Sequence, residues 1–81
     1  MFSKQSKKML EQKSAGLLFR IHQLKLAVEE SQDMVRLAIR VEGYGSPIHK
    51  WHVAILARHT KQLDKCNNAL AANNKALILS R

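Results

Sequence analysis

The sequence predicts an all-α fold: a long antiparallel helical hairpin, with a helix over about residues 4–42, a turn at 43–46 and a second helix over about 47–80. Three observations carry this. Gly43-Tyr44-Gly45-Ser46-Pro47 holds two of the three glycines and the only proline of the 81-residue chain. On either side of it, apolar residues recur at alternating steps of three and four, the spacing of one helix face. Beyond it, Leu56, Leu63, Leu70 and Leu77 recur every seven residues, a sign of helix pairing.

The first helix has Ser3 or Ser6 as candidate caps, with a start between Lys4 and Lys8. Its main stripe is Leu10, Ser14, Leu17, Ile21, Leu24, Val28, Ser31, Val35 and Ala38, and Leu18, Ala27, Met34 and Val41 are expected to widen it. Thirty-odd residues at about 1.5 Å each make a rod of roughly 50–60 Å, which must lie along another rod. Phe19 and Leu26 point away from this stripe, and Leu37 and Ile39 lie beyond them. One neighbour cannot cover so much apolar surface, so Phe19, Leu26 and Ile39 are expected to form a contact flank for a partner. Gly16 either admits a closely packed helix or loosens the N-terminal arm.

The turn follows from backbone chemistry. Gly43 or Gly45 can take the left-handed conformation that ends a helix, because glycine has no Cβ to clash. Ser46 is placed to cap the next helix, and Pro47 suits its first position, where no amide hydrogen is needed. Tyr44 is either a contact residue at the tip or lies back over the helix ends.

In the second helix the leucines alternate with His52, His59, Cys66 and Asn73, so the seam is half apolar and half polar. Polar seam residues set register at some cost in stability. The leucines are expected to drive helix pairing and self-association, assembling two hairpins into a four-helix bundle. An 81-residue chain with a lone cysteine has no internal disulfide, and so small a core usually needs a partner. The Ala- and Asn-rich end is expected to depend on packing against the N-terminal arm.

Charge narrows the classes. The formal net charge is +8, from 14 Lys and Arg against 6 Asp and Glu. It is uneven: both ends are basic, while residues 28–42 carry Glu29, Glu30, Asp33 and Glu42 against Arg36 and Arg40. Such a surface attracts nucleic acid, acidic protein and anionic lipid alike. The sequence lacks an apolar run long enough for a membrane span, and its basic start is not followed by a secretory signal's apolar stretch. The free thiol fits a reducing cytoplasm.

Catalysis and metal binding find little support. His49 and His52 share a face, and His22 falls roughly level with Cys66 or Asn67, yet no spacing supplies four tetrahedral ligands. Cys66 sits among apolar neighbours without an orienting base, and a two-helix rod offers no enclosed cleft. The expectation is a non-enzyme with no catalytic residue, no metal ligand and no cofactor. Its small size, basic charge and helical pattern suggest a regulatory factor of the phage or plasmid accessory type, acting on an acidic protein partner. The alternative is a nucleic-acid-binding protein whose Lys50, Arg58, Lys61 and Lys65 contact backbone phosphates, with Trp51 either stacking on a base or covering the turn. The sequence has no zipper-type basic region before Leu56, and few aromatic residues.

Overall fold

The structure, a computed structural model, describes residues 4–79. Two helices make up these residues: α1, Lys4–Glu42, and α2, Pro47–Leu79. They pack antiparallel along a rod of 58 × 14 × 13 Å. The expected hairpin is therefore present. Ser6 lies inside α1 rather than at its cap; Ser3 and Ser80 lie outside the described residues.

The turn is built as its residue types dictate. Gly43 has φ +94°, and its amide donates to the Ile39 carbonyl at 3.0 Å, the bond of a left-handed helix end. The Ser46 amide donates to the Gly43 carbonyl at 3.3 Å, which closes the chain reversal. Gly45, third of these four residues, has φ +81°, a value glycine reaches without penalty. Ser46 then caps α2: its Oγ accepts from the His49 amide at 3.1 Å, and its carbonyl accepts from Lys50 at 3.0 Å. His49 closes the corner, its Nδ1 accepting from the Gly45 amide at 2.9 Å while the Tyr44 ring lies 4.9 Å away. Tyr44 thus lies back beside a buried histidine yet stays open to solvent.

The seam lies where the three-and-four spacing put it. Every residue of the α1 stripe is buried or half-buried, as are Leu56, Leu63, Leu70, Leu77 and the four polar residues between them. The buried apolar residues are Ile21, Leu24 and Ala38, and no described side chain falls below 2 % exposure. This is a shallow core. Of the residues expected to widen the stripe, only Ala27 is half-buried; Leu18, Met34 and Val41 remain exposed, because a single neighbouring helix reaches only a narrow strip.

Polar groups set the register. Ser31 Oγ and His59 Nδ1 are 2.8 Å apart across the seam. Near the open end, Asn73 Nδ2 donates to the Leu10 carbonyl at 2.7 Å and to Ser14 Oγ at 2.6 Å, and Ser14 Oγ donates to Asn74 Oδ1 at 3.2 Å. The Asn-rich end is thereby tied to the N-terminal arm. Among the described residues, no buried side-chain N or O lacks a hydrogen-bond partner. Gly16 is exposed, and a Cβ built there would meet nothing within 4 Å, so no close helix approach within the hairpin calls for it.

Candidate partner-binding surfaces

Helical spacing sorts the exposed residues into distinct surfaces. A straight helix advances about 100° per residue, so Phe19 and Leu26 are about 20° apart around α1 and face directly away from the seam. Both are open to solvent, at 64 % and 52 %. Ile39 does not belong with them. It lies about 30 Å from Phe19 along the helix and roughly 160° around it, on the hairpin edge that also carries Val53. At 36 % it is also the least exposed of the three. The expected three-residue flank therefore divides into an outward Phe19–Leu26 pair and a separate Ile39.

The four leucines of α2 belong to a different surface. Leu56, Leu63, Leu70 and Leu77 lie on the same stripe as His59 and Asn73, which bond to α1 of the same chain. Within the hairpin they serve intramolecular pairing. They are only half-buried there, so part of each remains available from the side.

The basic residues of α2 do form one face. Lys50, Arg58, Lys61 and Lys65 are all exposed and fall within a strip of about 100° on the outer side of the helix, with Lys75 continuing it. Asp64 is the one acidic side chain of α2. The strip extends along most of the rod at single-charge steps. On α1, by contrast, Glu29, Glu30 and Asp33 are exposed beside basic residues, and Arg36 pairs with Asp33 at 3.3 Å, a solvated ion pair of little energetic weight.

A further surface was not anticipated from sequence. Along one edge of the hairpin, near the turn, two adjoining hollows of about 230 Å³ and 160 Å³ share Met34 and His52. The first lies between Ala27 and Met34 on one side and Trp51 and Ile55 on the other. The second continues over Leu37, Val41 and Ile48. Trp51 is 61 % exposed, its ring centre 4.9 Å from that of His52 and steeply tilted to it, and it lines this groove rather than covering the turn. The signal was present in the sequence as Met34 and Val41 on α1 and Ile48 and Ile55 on α2, each pair seven residues apart. All four lie on the same rotational side of their stripes, and in an antiparallel pair such residues meet at one edge.

His22 is exposed while Cys66 is half-buried on the seam, so the level pairing of the two does not bring them onto one face. Among the described residues, no group of three His, Cys, Asp or Glu side chains converges as a metal site, and no helix is long and apolar enough to cross a membrane. Comparison with known protein families, with curated proteins and with solved structures finds no match to this chain.

Proposed function

We propose that this chain is a small regulatory or accessory protein that acts without catalysis, by binding an acidic protein partner through a helical surface, and that it does so as a homo-oligomer. The observation that carries the reading is the Phe19–Leu26 pair. A phenylalanine and a leucine stand side by side on the face of α1 opposite the seam, where nothing in the hairpin can cover them. They lie in the half of the rod remote from the turn. There residues 4–27 and 61–79 hold nine basic residues against Glu11 and Asp64. Apolar anchors within a basic field suit a partner that offers apolar pockets ringed by carboxylates, with charge guiding the encounter and burial supplying the affinity. A cytoplasmic setting is part of the proposal, in keeping with the free Cys66.

The test is capture from a lysate treated with nuclease, comparing the native chain with Phe19→Asp plus Leu26→Asp. A defined protein retained by the native chain and lost by the double variant supports the reading. Capture that survives the double variant overturns it. Because both side chains are already exposed, helicity should be unchanged.

A second reading is favoured by the basic strip on α2. If Lys50, Arg58, Lys61 and Lys65 neutralise phosphates, affinity for a duplex or single strand falls steeply with salt, with a slope of about one per contact. Lys61→Glu with Lys65→Glu would then abolish nucleic-acid binding, while Phe19→Asp plus Leu26→Asp would leave it in place.

A further inference from the structure

We propose that the apolar groove beside the turn is occupied by a second copy of this chain, with the two hairpins overlapping only through their turn halves and their open halves pointing in opposite directions. The proposal rests on the homo-oligomer part of the reading above and gives it a surface and an orientation.

The first argument is the core. No described side chain is fully buried, and the seam leucines of α2 are half-exposed. A helix pair this thin has one layer where stable domains have at least two packed against each other. The groove is where the missing layer would seat: Leu37 at 49 %, Val41 at 67 %, Ile48 at 47 % and Trp51 at 61 % exposure lie along one edge with Met34 and Ile55. Such a patch on a two-fold axis is complementary to itself.

The second argument is charge, and it selects both the occupant and the orientation. The bonds of Ser31 with His59 and of Ser14 with Asn73 and Asn74 together place residue 28 about level with residue 60. The turn half, residues 28–60, holds four basic residues (Arg36, Arg40, Lys50, Arg58) against four acidic ones (Glu29, Glu30, Asp33, Glu42) and is neutral. Residues 4–27 and 61–79 hold nine basic against two acidic, a net +7. Two copies can bring their neutral halves together without repulsion. Aligning the rods in parallel along their whole length would set +7 against +7. Overlap of the turn halves alone keeps the basic halves apart and leaves Phe19 and Leu26 on each copy free for a different partner.

The size of the contact sets its strength. The overlap spans about 24 Å of two helices each about 10 Å across, so the pair buries roughly 1,000 Å², the lower edge of specific interfaces. A reversible dimer is expected, not a permanent one.

The experiment is sedimentation velocity on the full chain across a concentration series, at low and at high salt. A monomer–dimer equilibrium that strengthens with salt is expected, because screening removes the residual repulsion between open halves while apolar burial barely changes. Leu37→Glu with Trp51→Glu should raise the dissociation constant about a hundredfold, the loss expected of two central contacts. Both positions are exposed, so helicity should persist, and circular dichroism checks this. Phe19→Glu should leave the dimer intact. Orientation is read in a Cys66→Ser background: Met34→Cys should cross-link two copies under mild oxidation, and Lys75→Cys should not. A chain that stays monomeric, a dimer lost on Phe19→Glu, or cross-linking at 75 instead of 34 overturns the proposal. Partner capture depends on Phe19 and Leu26 and not on Leu37 or Trp51, so each reading can fail without the other.

Discussion

At the scale of single residues, the polar members of the seam carry the specificity. Asn73 is 5 % exposed and donates to both Leu10 and Ser14, so its carboxamide is satisfied only when α2 stands at one height against α1. Removing it leaves the Ser14 hydroxyl short of a donor and opens a small void. Asn73→Ala should therefore cost about 1–2 kcal/mol in chemical denaturation, the range for a lost buried hydrogen bond with some packing. Asn73→Leu should behave differently. It extends the leucine stripe and should match or exceed the native stability, while hydrogen exchange near Leu10 and Ser14 becomes faster because the register is no longer held. Equal losses in both variants would show that Asn73 acts through shape alone.

The helices themselves show where backbone chemistry decides. The two glycines Gly16 and Gly43 have opposite roles. Gly16 is mid-helix and exposed, with free space for a Cβ, so Gly16→Ala should stabilise the hairpin by up to about 1 kcal/mol. Gly43 has φ +94°, where any side chain strains the backbone, so Gly43→Ala should destabilise by about 1–2 kcal/mol although nothing lies within 4 Å. Thermal melts of the two variants should shift in opposite directions. Shifts in the same direction would contradict this account of the turn. Neither helix has an acidic residue in its first turn, and α2 carries Lys50 there, so the helix dipoles are left uncompensated at both starts. Helix stability here is borrowed from packing along the seam.

For the whole molecule, the decisive quantity is how little one copy buries. Three apolar residues count as buried, and fourteen large apolar side chains are exposed among the described residues. If a second copy completes the core, stability must depend on concentration, because mass action favours whatever binds the folded chain alone. The melting temperature should rise with protein concentration and become concentration-independent in Leu37→Glu with Trp51→Glu. A native melting temperature that does not move with concentration would mean the hairpin is stable by its seam alone. The charge division supports separate tasks for the two halves: a neutral apolar end suited to its own copy, and a basic end suited to an acidic surface.

The sequence by itself determined the two helices, the turn and the seam. Those features are local or periodic: Gly43 at the left-handed helix end, Ser46 and Pro47 at the next start, and apolar residues three and four apart. Tertiary structure alone decided the register and how far each residue beside the seam is covered. Sliding α2 by seven residues would keep leucine on the seam, so periodicity cannot choose the height; the bonds of Ser31 with His59 and of Asn73 with Ser14 choose it. Periodicity does put Met34, Val41, Ile48 and Ile55 on the same side of their two stripes, and like sides meet at one edge of an antiparallel pair; how far each is covered there is decided by packing. Trp51 and Met34 line a groove together at that edge, while Ile39, grouped with Phe19 and Leu26 in the sequence reading, falls on another side of the rod.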